Sequence, residues 1–146
     1  MGTLINNRIL SPYKMMALQS PIILCVHRND YIKAISDANI QAVSLNLPLA
    51  KSFAGKSERE IIVVINETVL NLLPIGESIY LQDYEMLFDP RYKLDVIRLF
   101  SEISRHNRLI VKWCGGFDGK SLTYAEPGYA DYAAYKISDY NIVCVI

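Results

Sequence analysis

Five short apolar runs, separated by segments of helical periodicity, constrain the fold of this chain more than any other feature. The runs lie at residues 22–26, 42–47, 79–82, 109–113 and 141–146. Short continuous runs of this kind are typical of strands that are buried on both faces of a sheet. Strands that alternate with helices are joined by right-handed crossovers and form parallel sheets. The pattern therefore predicts an α/β fold in three layers, with a mainly parallel five-stranded sheet and helices on both faces.

Helices and turns account for the rest of the chain. Ser11 and Pro12 suit the N-cap and the first position of a helix over residues 13–18. A long helical pattern covers residues 58–73, although the β-branched residues 61–65 leave a strand open as an alternative. The other predicted elements are a helix over 30–37, a helical turn over 49–53, a helix from Asp89 and Pro90 to about 104, a loop or hairpin turn at 115–119, a short added strand over 121–124, and a turn or helix over 129–135.

The composition fits a single domain over residues 1–146. Hydrophobic residues make up 51% and charged residues 21% of the chain, which is enough apolar surface for one core. The 15 basic and 15 acidic side chains cancel, so global charge gives no argument for nucleic-acid binding. Three separated cysteines and two histidines without ligand spacing argue against a zinc site and suit a reducing compartment. No apolar run reaches membrane-spanning length, so we expect a cytoplasmic protein without a membrane partner.

Two carboxylates follow the third predicted strand, Asp83 at its end and Glu85 two residues later. In P-loop ATPases a buried strand that ends in acidic residues is the Walker B element. Its Asp serves the water shell of Mg²⁺, and a nearby Glu polarises the attacking water. Asp83 is thus the candidate metal residue if Mg²⁺ binds. Many α/β strands end in Asp for structural reasons alone, and the spacing leaves that role open.

Ligands of parallel sheets bind beyond the carboxyl ends of the strands. In this chain those ends carry residues 27–30, Asn46, residues 83–85 and residues 113–116. A candidate binding site is therefore expected at that edge of the sheet.

The phosphate loop that should accompany a Walker B strand is missing. Such a loop follows the first strand and wraps phosphate with glycine backbone N–H groups, whereas residues 27–33 read His-Arg-Asn-Asp-Tyr-Ile-Lys, without glycine. Arg28 and Lys33 are candidates for an anion contact, and solvated surface charge is the competing interpretation. Residues 54–57 (Ala-Gly-Lys-Ser) end like a P-loop but follow the second strand. We interpret them as a polar loop, with Ser57 as a helix N-cap.

Arg105 lies in a basic segment between the last long helix and the fourth predicted strand. In multimeric ATPases an Arg here reaches the nucleotide of a neighbouring subunit, which makes Arg105 a candidate arginine finger. A helix C-terminus stabilised by cations is the alternative. A local DNA-contacting patch would combine Arg28, Lys33, Arg105, Arg108 and Lys112.

A response-regulator receiver domain also ends its third strand in Asp, but Asp30 is a poor match for the acidic residues that follow its first strand.

Residues 80–135 resemble the BrxF family, the small P-loop components of BREX bacteriophage-exclusion systems. The most specific part is the Thr-Tyr-Ala-Glu-Pro-Gly run at 123–128, and residues 42–49 resemble the family's second-strand region. The other matching residues are Asp83, residues 85–90, Leu99, Ser104, Arg105, Asn107, Arg108, Trp113 with its glycine turn, Leu122, Tyr132 and Tyr135.

The resemblance implies a P-loop NTPase-like core of the ASCE or AAA type, with Walker B positions at Asp83 and Glu85 and the family's Ser-Arg position at Arg105. It also implies partners among other phage-defence proteins, including a methyltransferase and a large ATPase. The family carries a Walker A loop after its first strand, and this chain departs from the family there.

We therefore expect a non-hydrolysing P-loop-like subunit that is a scaffold or regulator of a phage-defence complex. It is not expected to be an enzyme or to need a cofactor, and no residue is assigned a catalytic role. Other BREX proteins are the expected partners, and a homo-oligomer stays open. One alternative is an active ATPase or nucleotide sensor that binds ATP and Mg²⁺. The other is a DNA-contacting module.

Overall fold

The computed structural model describes residues 1–146 as nine strands in two sheets, with five α-helices. The strands are β1 (Thr3–Ile5), β2 (Ile22–Leu24), β3 (Gln41–Ser44), β4 (Ile79–Gln82), β5 (Leu109–Lys112), β6 (Gly116–Phe117), β7 (Ser121–Tyr124), β8 (Ala133–Lys136) and β9 (Val143–Val145). The α-helices are α1 (Pro12–Met16), α2 (Asn29–Asp37), α3 (Asn46–Phe53), α4 (Glu58–Leu72) and α5 (Val96–Ile103). Short 3₁₀ helices cover Asn7–Ile9, Glu85–Phe88, Pro90–Tyr92 and Ile137–Asp139.

The larger sheet is parallel throughout, and its six strands lie in the order β1-β9-β2-β5-β4-β3. The predicted parallel α/β sheet is confirmed, but the predicted number of five strands is wrong. The sixth strand, β1, pairs with β9 at one edge. Two of its three residues are exposed, so β1 lacks the apolar run that marked the buried strands.

The strand order separates this fold from other doubly wound sheets. The five predicted strands, counted along the chain, lie in the order 5-1-4-3-2, with β5 between β2 and β4. A receiver domain has the order 2-1-3-4-5, in which the third strand lies beside the first. The receiver alternative is therefore excluded.

Helices cover both faces of the sheet, as predicted. From β2 to β3 the chain moves towards the β3 edge of the sheet. From β3 to β4, and then from β4 to β5, it moves back in the opposite direction. Right-handed crossovers must therefore use opposite faces. α1 and α2 cover one face with a small core that includes Met15 and Tyr31. α3, α4 and α5 cover the other face, where the larger core lies.

Side-chain caps fix where three of the helices begin. Ser57 and Glu60 form a reciprocal capping box at the start of α4, which confirms the predicted N-cap. Ser11 caps α1 with Pro12 at its first position, also as predicted, and Asp95 caps α5. Each such cap contributes about 1 kcal/mol to stability. Residues 61–65 lie inside α4, so the strand alternative is wrong.

The second predicted strand, over 42–47, is shorter than expected. The backbone N–H groups of Leu45 and Asn46 both donate to the carbonyl oxygen of Asp83, at 3.0 and 2.8 Å. These bonds end β3 at Ser44 and turn the chain directly into α3. Pro48 lies in the first turn of α3, where a helix needs no N–H donor.

The helix predicted from Asp89 to about 104 is also divided. Its first part is the 3₁₀ turn Pro90–Tyr92, capped by Asp89, and Lys93 then adopts a left-handed φ of 51°. Asp95 caps a second start, so only residues 96–103 are α-helical. The segment carries two N-caps, and each begins its own short helix.

An antiparallel unit of β6, β7 and β8 is inserted between β5 and β9. The predicted added strand over 121–124 is confirmed as β7, whereas the helical alternative over 129–135 is wrong because β8 begins at Ala133. The unit packs on the main body through stacked rings of Phe88 and Tyr124, whose centroids lie 3.9 Å apart. A Cβ at Gly115 would lie 1.9 Å from the carbonyl oxygen of Thr123, so glycine is required where the chain leaves β5.

None of the helices combines the length and the apolar character that crossing a membrane requires.

Candidate functional site

Polar side chains come together where the parallel strands of the main sheet reach their carboxyl ends, as expected. A cleft of about 260 Å³ opens there, between the ends of β2, β4 and β5. Its lining residues are His27, Asp83, Glu85, Lys112, Trp113, Cys114 and Gly115. Both predicted Walker B carboxylates therefore face one cavity, together with one lysine and one histidine.

Asp83 ties the end of β4 to the end of β3. Ser44 Oγ donates a 2.7 Å hydrogen bond to Asp83 Oδ2, and the Asp83 carbonyl oxygen accepts the two backbone bonds that start α3. Asp83 has a φ of 50°, a left-handed conformation that Asp adopts more readily than most residues. The residue thus shapes the backbone at the site as well as supplying a carboxylate.

Glu85 is held by the first residue of α3. Asn46 Nδ2 donates to Glu85 Oε2 at 2.6 Å, and Asn46 Oδ1 accepts from the backbone N–H of Met86 at 3.0 Å. Glu85 is partly buried, whereas Asp83 is exposed. The Glu85 carboxylate is therefore fixed against α3, and Asp83 is the more accessible of the two acids.

Tyr84 anchors the short turn between the two acids to β5. Its ring is fully buried against Phe100, and its hydroxyl donates a 2.7 Å hydrogen bond to the carbonyl oxygen of Lys112. Burial raises the pKa of the Tyr84 hydroxyl above its usual range. The two carboxylates are therefore mounted on a rigid segment.

Cys114 is the thiol in this cleft, and its chemistry is that of a neutral group. Burial raises the pKa of Cys114 to about 11, so the thiol stays protonated at neutral pH. A protonated thiol is a poor nucleophile and a poor metal ligand. The cleft therefore gives no support to cysteine-based catalysis.

A second cleft, of about 420 Å³, lies on the other side of Glu85. Phe88 and Tyr124 form an aromatic wall, and Asn46 and Asp131 contribute polar atoms. The Thr-Tyr-Ala-Glu-Pro-Gly run thus borders the candidate site, because Tyr124 belongs to that run.

The connection from β2 to α2 is held by Arg28. Its guanidinium donates to the carbonyl oxygens of Asn7 and Leu10, at 2.7 and 3.2 Å, and pairs with Asp30. This pairing holds the pKa of the Asp30 carboxyl below its ordinary value. Lys33 pairs with Asp37, with 2.8 Å between Nζ and Oδ2. Both candidate anion contacts are thus engaged within the chain.

Arg105 lies at the opposite edge of the sheet from Asp83, because it precedes β5 whereas Asp83 follows the parallel strand β4. It is exposed there. Arg108 lies at the same edge and donates to the carbonyl oxygens of Met16 and Leu18. The five basic residues considered for a DNA patch are therefore divided between the carboxyl ends and the amino ends of the parallel strands. No single patch combines Lys112 with Arg105 and Arg108.

No group of three or more His, Cys, Asp and Glu side chains is arranged to hold a metal ion. Asp83 and Glu85 are the two carboxylates of the cleft that could serve a hydrated Mg²⁺. The sequence placed both of them, and also Asn46, at this edge of the sheet. The sequence does not predict the bond from Ser44 to Asp83, or the bond from Tyr84 to Lys112, which joins residues 28 positions apart.

No protein-family model matches the chain, and no curated protein or solved structure matches it either.

Proposed function

We propose that the chain is a non-hydrolysing, P-loop-like subunit that acts as a scaffold or regulator in a BREX-type phage-defence complex of the bacterial cytoplasm. The strand order supports this proposal. In an ASCE-type P-loop core, an additional strand separates the first strand from the strand that carries the Walker B acids. Here β5 lies between β2 and β4, and β4 ends at Asp83.

The single observation that carries the non-hydrolysing part is the chemistry of the β2–α2 connection. Residues 25–28 contain no glycine, and Arg28 is drawn to backbone carbonyls of the N-terminal segment. Asp30 places a carboxylate in the first turn of α2, where a phosphate-binding helix offers its positive end to the ligand. The Asp30 carboxylate also pairs with Arg28, so neither the helix start nor this arginine is free to bind a triphosphate.

The contacts of the two Walker B-like acids support a structural role for them. Asp83 and Glu85 each accept a hydrogen bond from the start of the β3–α3 segment, through Ser44 and Asn46. These bonds tie the segment after β4 to the end of β3 and the start of α3. The acids therefore have a function in the proposed scaffold.

A titration of labelled ATP in the presence of Mg²⁺ tests the absence of nucleotide chemistry. We expect no saturation below about 1 mM, which corresponds to about 4 kcal/mol of binding free energy. Saturation in the micromolar range would overturn the proposed absence of nucleotide binding and favour an ATPase or a nucleotide sensor.

A phage-plating assay tests the defence role. Deleting the gene should raise the plating efficiency of phage on its native host, and the wild-type gene should restore resistance. A double variant, Asp83→Asn with Glu85→Gln, keeps hydrogen-bond acceptors for Ser44 and Asn46 but removes both charges. We expect this variant to restore resistance as well, because the proposal needs no Mg²⁺. Unchanged plating on the deletion host would refute the defence role, and failure of a folded double variant would favour active nucleotide chemistry.

A further inference from the structure

The outward face of α4 carries apolar side chains that the rest of the chain leaves uncovered. Val63 is 79% exposed and Ile62 is 38% exposed, although both lie in the first half of a 15-residue helix. β-branched residues are weaker helix formers than the charged or straight-chain residues usual on a solvated face. Their presence on this face is therefore not explained by the folding of α4 itself.

Val63 lies midway between two opposite charges. Arg59 precedes it by four residues and Glu67 follows it by four, and residues four apart form one continuous ridge on a helix. Arg59 and Glu67 are both exposed, and neither takes part in the four ion pairs of the chain. The ridge thus presents a positive end, an apolar centre and a negative end, all without partners within the chain.

Depressions flank this ridge on both sides. One, of about 360 Å³, lies between α4 and the segment that leads into α5, and its lining includes Ile62, Val63 and Asn66. The other, of about 330 Å³, is lined by the N-terminal half of α4, including Arg59 and Val64. A ridge bordered by grooves is the surface shape that helix-on-helix packing uses.

We propose that this ridge of Arg59, Val63 and Glu67 is the contact surface of a symmetric dimer of the chain. A two-fold axis at Val63 reverses the direction of the ridge, so Arg59 lies opposite Glu67 of the partner subunit and Glu67 lies opposite the partner's Arg59. The two Val63 side chains meet at the centre. Because each i±4 row is inclined by about 26° to its helix axis, the two ridges lie parallel when the helices cross at about −50°. Two copies of one surface then satisfy both charges and cover the apolar centre.

The mass of the purified chain in solution, measured by sedimentation equilibrium over a range of concentrations, tests this dimer. We expect the mass to rise towards twice 16.6 kDa as concentration increases. Arg59→Glu should raise the dissociation constant of the dimer about tenfold or more, because like charges then face each other twice. Glu67→Arg should have the same effect, and Val63→Lys should abolish the dimer.

The double variant Arg59→Glu with Glu67→Arg separates this contact from any other. It restores opposite charges across the two-fold axis, so the dissociation constant should return to within a fewfold of the wild-type value. Arg8→Glu is the matched control, because it makes the same charge change at an exposed site in the N-terminal segment. It should leave the dimer unchanged.

Folding is monitored in the same variants by thermal unfolding. Arg59 lies in the first turn of α4, where a negative charge favours the helix dipole. Arg59→Glu should therefore weaken the dimer without destabilising the monomer. A monomeric wild-type chain at all concentrations would overturn the proposal. So would a dimer that survives Val63→Lys, or single charge reversals that the double variant fails to rescue.

Discussion

Asn46 and Glu85 are joined by a 2.6 Å hydrogen bond that links the start of α3 to the turn after β4. The same Asn46 side chain accepts the backbone N–H of Met86, so one amide satisfies both the carboxylate and the backbone of that turn. Asn46 is thereby joined to Glu85, 39 residues later in the sequence, and to Met86, 40 residues later. Glu85 consequently contributes to the architecture of the candidate site.

Replacing Asn46 by Ala should lower the free energy of unfolding by about 2 kcal/mol, because it leaves a partly buried carboxylate and a backbone N–H without their partner. Urea denaturation measures this change. Asn141→Ala is the control, because Asn141 is exposed and its change should stay within about 0.5 kcal/mol. Equal effects of the two substitutions would show that the Asn46 bonds contribute nothing.

Gly115→Ala should destabilise the protein by about 3 kcal/mol, because the added Cβ would lie 1.9 Å from the carbonyl oxygen of Thr123. The backbone at Gly115 needs no left-handed φ, so the cost comes from the close approach alone. Gly116→Ala is the matched control. Its Cβ would lie 3.1 Å from Thr123 Oγ1, a side-chain atom that can move, and we expect a cost below about 1 kcal/mol. The denaturation midpoints of both variants measure their stabilities. Similar losses of stability for the two substitutions would contradict the prediction.

The stacked pair of Phe88 and Tyr124 should account for much of the attachment of the β6–β8 unit. Phe88→Ala is expected to cost about 4 kcal/mol, because Phe88 also meets Trp113 and Tyr135. A double-mutant cycle with Phe88→Leu and Tyr124→Leu should give a coupling energy of about 1 kcal/mol.

The exposed Tyr129 gives the control for that cycle. Coupling between Phe88→Leu and Tyr129→Leu should be close to zero. A coupling with Tyr124 that is no larger than this value would mean that the rings stack without stabilising the protein.

The limits of the sequence-based predictions follow from the range of the interactions concerned. The positions of Asp83 and Glu85 beyond the carboxyl end of β4 are predictable, because the buried strand before them is marked by a local run of apolar residues. The end of β3 was misplaced because hydrogen bonds to Asp83, far along the chain, decide it. β1 was missed for the same reason, since pairing with β9 forms it rather than its own composition.

The basic residues illustrate the same limit at the level of single side chains. Arg28 and Arg108 both donate to backbone carbonyl oxygens. Arg28 reaches that of Leu10, 18 residues away, and Arg108 reaches that of Met16, 92 residues away. A carbonyl acceptor leaves no mark in the sequence, so these residues resembled free surface charge. By contrast, the caps at Ser11 and Ser57 were predicted because a cap and its helix are adjacent in sequence.

The pair of Asp89 and Arg91 should make part of the stability depend on pH. The Arg91 guanidinium beside Asp89 holds the pKa of that carboxyl below its ordinary value. A carboxyl with a lowered folded-state pKa releases its proton more readily in the folded than in the unfolded chain. Its stabilising contribution is therefore complete above the unfolded pKa of about 3.9, and it is lost as the pH falls through the folded-state pKa.

Asp89→Asn should accordingly be less stable than the wild type at neutral pH, and the difference should shrink as the pH falls below about 4. Urea unfolding at a series of pH values measures both curves. Glu77→Gln is the control, because Glu77 is exposed and belongs to none of the four ion pairs. A difference for Asp89→Asn that stays constant down to the lowest pH would show that the bond to the Arg91 backbone, and not the charge on Asp89, stabilises this turn.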